Sequence, residues 1–180
     1  MIHRFENFLF LENLNLEIEK KIIKNKIKNI IYYNFNNIDY SYIKKIRQWC
    51  KKNKIKFFII NNYALAKKLG SDGIYITSDC RNKTNLFYNK SKFIVIGSAH
   101  NQLEYYFKKH QACERIFLSP IFKTDKYSAN KTLGLVKFNL ISLNWNTKIV
   151  ALGGIKIDNI KLIKLTKNYS IGFKSLIEKL

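Results

Sequence analysis

At 180 residues the chain has the length for one domain with a substantial core, and an apolar fraction of 47% with 14% aromatics argues against a disordered chain. No apolar run reaches transmembrane length, and Met1-Ile2-His3-Arg4-Phe5-Glu6 lacks the greasy run of a signal peptide, so a soluble, cytoplasmic protein without a membrane partner is expected. The net charge of +21 is carried almost wholly by Lys, spread along the chain beside equally over-used Asn and Ile, and these three residues share A/T-rich codons. A solvated basic surface is therefore expected ahead of a nucleic-acid groove, although a basic mouth would favour phosphorylated small molecules.

Short β-branched and aromatic runs alternate with lysine-rich amphipathic stretches. After a weak opening run near Phe5–Leu11, strands are predicted over Ile27–Phe35, Lys56–Asn61, Gly73–Thr77, Phe93–Gly97, Arg115–Ser119, Lys148–Leu152 and Tyr169–Phe173. Each is apolar on both faces, as a buried parallel strand should be. Helices are predicted over Tyr42–Asn53, Ala64–Leu69, Asn101–His110, Leu135–Leu143 and Asp158–Lys167, the last capped by Asp158. Eight such units predict one α/β domain over residues 1–180, a compact (β/α)₈ TIM barrel with shortened helices. The length is below the ~200 residues at which such barrels usually begin. Economies are visible in a compressed first crossover, little helical pattern after Thr77, and only Leu176–Leu180 for a final helix. A doubly wound open sheet is the alternative, weakened by the lack of GxGxxG after the first strand.

Cys50, Cys80 and Cys113 are widely spaced and match no CxxC or Cys/His metal pattern, so they read as reduced thiols. In a barrel, chemistry collects where strands end. Those ends read Asn61-Asn62, Ser78-Asp79-Cys80, Ser98-Ala99-His100, Ser119-Pro120, Gly153-Gly154 and Lys174-Ser175, nearly all polar or small. A Gly pair lets backbone N–H groups approach a phosphate, and the usual barrel phosphate site lies between the loops after strands seven and eight. Gly153-Gly154 with Lys174-Ser175 is therefore the candidate cradle. The Pro120–Gly134 stretch, with Thr124, Lys126, Tyr127, Lys131 and Thr132, reads equally as a lid or as a solvated basic loop. His100 reads first as an imidazole that orders the mouth and second as a general acid/base, and Asp79 is a lone candidate ligand for magnesium.

Six segments occur in order: Phe58-Ile59-Ile60-Asn61-Asn62, Leu69-Gly70-Ser71-Asp72-Gly73-Ile74-Tyr75-Ile76, Ile96-Gly97-Ser98-Ala99-His100-Asn101, Phe117-Leu118-Ser119-Pro120-Ile121-Phe122-Lys123-Thr124, Leu133-Gly134-Leu135 and Val150-Ala151-Leu152-Gly153-Gly154-Ile155. Together they resemble the thiamine-phosphate synthases and the related thiazole tautomerases, from roughly Phe57 to Ser175. The resemblance implies a transferase of thiamine biosynthesis that joins an aminopyrimidine methyl diphosphate to a thiazole phosphate and releases pyrophosphate, with Mg2+ as cofactor. Carried over by position, it places Asn61 and Ser98 on the pyrimidine substrate. Thr124, Lys126, Gly153, Gly154, Lys174 and Ser175 fall to the thiazole phosphate. A homodimer is compatible with it.

The departures are specific. The family's two magnesium carboxylates fall on Asn62 and Cys80, with Asp79 one residue away from the second. Its strand-two QxRxK pattern falls on Ile31-Tyr32-Tyr33-Asn34-Phe35, without cations, and the tautomerase His falls on Pro120. The alternative expectation is thus a barrel that binds a phosphorylated thiazole-like ligand without the coupling chemistry.

Overall fold

The structure, a computed structural model of the chain, describes residues 6–33, 39–81, 93–125, 127–128, 131–166 and 170–174. Its strands are β1 (Glu6–Leu11), β2 (Asn29–Tyr32), β3 (Lys56–Ile60), β4 (Gly73–Ile76), β5 (Ile94–Ala99), β6 (Arg115–Leu118), β7 (Lys148–Leu152) and β8 (Ser170–Phe173). Every strand pairs in parallel with the next, and β8 returns to β1 through Glu6↔Ser170, Asn7↔Ile171, Phe8↔Gly172 and Leu9↔Phe173. The sheet is therefore a closed eight-stranded barrel, as the alternation of elements implied, and the open doubly wound sheet is set aside. The helices are α1 (Leu16–Lys24), α2 (Tyr40–Lys52), α3 (Tyr63–Lys68), α4 (Gln102–His110) and α5 (Gly134–Asn144). No helix of the described residues is long and apolar enough to cross a membrane.

The apolar runs divide into two shells because side chains alternate across a strand. Phe8, Phe10, Ile31, Phe58, Ile60, Tyr75, Ile96, Phe117 and Val150 fill the barrel. Their neighbours Leu9, Leu11, Ile30, Ile59, Ile74, Ile116 and Ile149 face outward against the helices. Inside, Phe8, Phe10, Tyr75 and Phe117 meet edge to face at ring-centroid separations of 5.0 to 5.9 Å. This is the geometry that aromatic quadrupoles favour. At the N-terminal rim, Arg115 Nε donates to Glu6 at 2.8 Å. On the same rim the Asp72 carboxylate accepts the Phe57 backbone N–H at 2.8 Å and pairs with Arg47 at 3.0 Å. Asp72 thus precedes β4 and lies away from the mouth.

Two helical expectations change. The first crossover is not stripped of its helix: Leu16–Lys24 forms nine residues capped by Asn15, whose side chain accepts from Ile18, with Glu17 and Glu19 in the first turn. Those acids favour the positive N-terminal end of the helix, and lysines occupy its last turn. Conversely, the helix expected over Asp158–Lys167 is a 3₁₀ helix, Ile160–Leu165. Asp158 does not cap it, and Asn159 instead accepts the Lys156 N–H at 2.8 Å and donates to the Gly154 carbonyl at 2.8 Å. Asn159 thereby ties this segment to the loop after β7 rather than starting an α-helix. The expected final helix at Leu176–Leu180 and most of the stretch after Thr77 lie outside the described residues.

One lysine breaks the rule that lysines stay in water. Lys108 of α4 is 0% exposed. Its stem lies against Gly97 on the outer face of β5, where a Cβ at position 97 would come within 3.0 Å of Lys108 Cδ. Its ammonium donates to the Cys80 carbonyl at 2.9 Å and to Gln111 Oε1 at 3.0 Å, and Gln111 Nε2 donates to the same carbonyl at 3.0 Å. The segment that follows β4 is thus held from below by two side chains of α4 and its C-terminus.

Two stability outcomes follow from these rim contacts. Asp72→Ala removes the acceptor for a buried backbone N–H and should lower unfolding free energy by about 1–3 kcal/mol in urea titrations, without changing ligand affinity at the opposite rim. For Lys108, burial lowers the ammonium pKa below its ordinary value, the nearby thiol and carboxyl groups opposing this only in part. A lysine depressed in the folded state destabilises below its folded pKa, and that cost is relieved as pH rises towards the unfolded value. The stability of the wild type relative to Lys108→Met should therefore rise from neutral pH towards about pH 10, the ordinary lysine range. A flat difference across that range would contradict the desolvated ammonium.

Candidate functional site

Closure of the barrel gathers all eight C-terminal strand ends on one rim, and there a cavity of about 710 Å³ opens. The aromatic plug forms its floor through Phe10, Ile60 and Tyr75, with Tyr33 and Leu152 on its walls. Around it stand Thr77, Ser78 and Asp79 after β4, Ser98 and His100 at β5, and Ser119 and Pro120 after β6. Gly153, Gly154, Ile155 and Lys156 after β7, and Lys174 after β8, complete the ring with Lys123, Thr124, Asp125 and Tyr127 of the β6 loop.

The residues expected from the sequence divide by what their side chains touch. Ser98 is buried at the end of β5 and is hydrogen-bonded to the Tyr75 hydroxyl inside the barrel. Burial pushes that phenol above its ordinary range, so Tyr75 is a neutral group in the floor. Asn61 has a φ of 49°, which turns it out of the strand alternation. Its amide nitrogen donates to Thr77 Oγ1 at 2.6 Å and its oxygen accepts the Thr77 N–H at 3.0 Å, clamping the ends of β3 and β4 together. Asn62 starts α3, its Oδ1 accepting the Leu65 N–H at 2.9 Å. Neither asparagine is among the residues lining the cavity.

His100 is anchored through Nδ1, 2.8 Å from the Ser119 carbonyl and 3.2 Å from the Ser119 hydroxyl. A carbonyl can only accept, so Nδ1 carries the proton in that contact and Nε2 is the basic nitrogen of the neutral ring. The His100 backbone N–H donates to Glu104 at 2.7 Å, and Asn101 caps α4. These bonds fit the ordering reading of His100 and leave one imidazole nitrogen for proton transfer.

The glycine pair has φ values of 92° at Gly153 and 68° at Gly154, in the region that side chains disfavour. A Cβ at Gly154 would fall 2.4 Å from the Lys123 carbonyl and 2.5 Å from that of Phe122, and one at Gly153 would fall 2.9 Å from Pro120. The pair is therefore required by the packing of the β7 loop on the β6 loop, a reason the sequence reading did not foresee. The two loops are also sewn together, with Ile121 N–H donating to Leu152 at 2.9 Å and Phe122 N–H to Gly153 at 3.1 Å. Thr124 and Tyr127 exchange backbone bonds of 3.0 and 3.2 Å, and Thr124 Oγ1 accepts the Tyr127 N–H at 3.0 Å. This loop is anchored at its base and turned back on itself at Thr124. Lys126 and Ser175 lie outside the described residues.

Three cavity residues escaped the sequence reading. Lys123 and Lys156 flank the glycine pair, and Tyr33 carries the Lys174 ammonium 4.3 Å above its ring centre. Lys156 could have been found two positions after Gly154; Lys123 was hidden among many loop lysines. Of the acids, Asp79 and Asp125 line the cavity. The Thr77 hydroxyl lowers the Asp79 pKa, with a further contribution from Lys108. Among the described residues no three His, Cys, Asp or Glu side chains converge on a point that could hold a metal ion.

Comparison with known proteins agrees with this arrangement. Residues 15–173 match the model of the thiamine monophosphate synthase family. A thiamine-phosphate synthase of Flavobacterium psychrophilum is 29% identical over 139 residues, covering 73% of this chain and 68% of that protein. One from Staphylococcus haemolyticus is 32% identical over 117 residues, covering 63% and 55%. The structure of thiamine phosphate pyrophosphorylase from Pyrococcus furiosus superposes with a TM-score of 0.77 at 17% identity, over 95% of this chain and 86% of that one, a likeness of fold. The family match covers most of the chain, from before β2 to the end of β8, and on that ground the chain belongs to the thiamine monophosphate synthase family.

Proposed function

We propose that the chain acts as a thiamine-phosphate synthase, joining an aminopyrimidine methyl diphosphate to a thiazole phosphate in the cytoplasm. The observation that carries this reading is the family match over residues 15–173, laid on a rim cavity with an aromatic floor and a glycine-lysine margin. In the coupling, the bond between the pyrimidine methylene carbon and the diphosphate oxygen breaks and both electrons leave with pyrophosphate. The thiazole nitrogen lone pair then forms the new carbon–nitrogen bond. Negative charge grows on the leaving group, so cationic donors fixed beside it lower the barrier. Phe10, Tyr33 and Tyr75 would shield the cationic pyrimidine from water and present ring faces to it.

In this reading Ser98 and Asn61 serve the pyrimidine half, Asn61 by holding Thr77 in place. Gly153, Gly154, Thr124, Lys126 and Ser175 serve the thiazole phosphate, Lys174, held over the Tyr33 ring, serves that phosphate and the neighbouring diphosphate together, and His100 orders the rim through Ser119. The magnesium that the family resemblance implies finds no matching donor set. Asn62 spends its oxygen on a helix cap, position 80 is a thiol, and among the described residues Asp79 belongs to no cluster of three ligating side chains.

Purified protein given both phosphorylated halves, with and without magnesium, should form thiamine phosphate detectable by its oxidised fluorescence. No product in either condition, with no pyrimidine diphosphate binding, would sink the synthase reading. Gly154→Ala should raise KM for the thiazole phosphate at least about tenfold while the barrel stays folded, since its Cβ forces the β6 and β7 loops apart. The neutral residues at positions 62 and 80 favour one second reading, a barrel that binds the thiazole phosphate without coupling it. Calorimetry that finds tight thiazole phosphate binding beside zero turnover would select that reading.

A further inference from the structure

The acids of this chain are few, and their positions are informative. The sequence holds 12 Asp and Glu residues, and only Asp79 and Asp125 line the cavity. Outside the described residues the sole acid is Glu178, beyond the last strand. The described residues contain no cluster of three metal-ligating groups. A magnesium site inside the mouth would therefore have to be built from Asp79 of the β4 loop and Asp125 of the β6 loop, without a third ligating side chain among the described residues.

Asp79 is already engaged. Its carboxylate accepts from the Thr77 hydroxyl, and that side chain is in turn held by Asn61 at 2.6 Å. Beneath the same loop lies Lys108, fully buried, its ammonium hydrogen-bonded to the Cys80 carbonyl and attracted to Asp79. That carbonyl takes a second N–H from Gln111 at 3.0 Å, so both of its lone pairs are directed to α4 and its C-terminus. A fixed positive charge bonded to the β4 loop itself opposes a divalent cation arriving there. The position thus has a cation built into the fold beneath the loop that carries Asp79.

The opposite side of the mouth supplies the remaining positive charge. Lys123, Lys156 and Lys174 all line the cavity and are exposed to it. Lys174 is placed by the Tyr33 ring, in the sector where the second strand itself offers no cation. Three ammonium groups balance the charge of a pyrophosphate without any metal.

We propose that this chain holds its diphosphate ligand without a divalent cation, with Lys123, Lys156 and Lys174 supplying the neutralising charge and buried Lys108 fixing the β4 loop and keeping a positive charge beneath it. The inference rests on the diphosphate-handling reading given above. Inorganic pyrophosphate is the probe, titrated calorimetrically into the full chain in excess EDTA and, separately, in millimolar magnesium. The expected result is the same dissociation constant in both, within about threefold. Binding that is tenfold or more tighter with magnesium overturns the inference and leaves the synthase reading standing. Binding in neither buffer overturns it too, and the coupling assay then decides the synthase reading by itself.

Lys156→Met and Lys174→Met should each weaken pyrophosphate at least about fivefold in EDTA, the scale of one partly solvated charge-assisted hydrogen bond. If neither changes the affinity, the lysines do not supply the charge and that assignment falls. Lys108→Met, judged folded by circular dichroism, should make pyrophosphate binding respond to magnesium, because the β4 loop that carries Asp79 loses the positive charge beneath it. A Lys108→Met protein that stays indifferent to magnesium would remove Lys108 from the proposal.

Discussion

The pairing of β8 with β1 is the constraint on which the rest of the molecule depends. Four residue pairs, from Glu6↔Ser170 to Leu9↔Phe173, close the sheet and leave no open edge. Closure makes one side of every strand face a sealed interior, so the inner residues must fill a fixed volume. Phe8, Phe10, Phe58, Tyr75 and Phe117 do this with rings, which explains how short strands of four to six residues enclose a dry core. It also brings eight strand ends to one rim. The site is thus a consequence of closure before it is a consequence of any particular side chain.

What the sequence disclosed follows the same division. The strands were legible because parallel strands covered on both faces read as continuous apolar runs, and all eight begin within two residues of the expected position. β2 is the exception in length: the aromatic run continues to Phe35, but the strand ends at Tyr32, after which Tyr33 becomes part of the cavity wall. Amphipathic spacing revealed α2 through α5. It missed α1, although that helix carries an Asn15 cap, an acidic first turn and an amphipathic face with Ile22 buried. The Asp158 signal misled because Asn159 finds better partners in Lys156 and Gly154 than a helix could offer.

The site was legible in outline only. Polar and small residues at strand ends marked the rim correctly, yet their spacing could not say which way each side chain turns. Asn61 was expected to face a ligand and instead binds Thr77, a choice set by its left-handed φ. The glycine pair was noticed for the phosphate it could approach, and the structure adds an independent requirement in the carbonyls of Phe122 and Lys123. Both demands fall on the same two residues. A family motif can therefore survive for packing reasons while the ligand chemistry around it changes, so the motif alone is weaker testimony to activity than the lysines beside it.

Charge is where composition and structure diverge most. The excess of +21 is spread along the chain, and only part of it, such as Lys20, Lys44, Lys51 and Lys67, lies on solvated helix faces. Lys108 and Lys174 are different because neighbouring groups fix them, one beneath the β4 loop by two oxygen acceptors and the other over the Tyr33 ring. A lysine that water surrounds can move away from a ligand at little cost; one held by its neighbours keeps its field aimed at a single place. The relevant quantity in this mouth is thus the number of immobilised charges rather than the net charge. An active site that has lost paired carboxylates can, on that basis, retain the electrostatics of diphosphate departure by fixing ammonium groups in their stead.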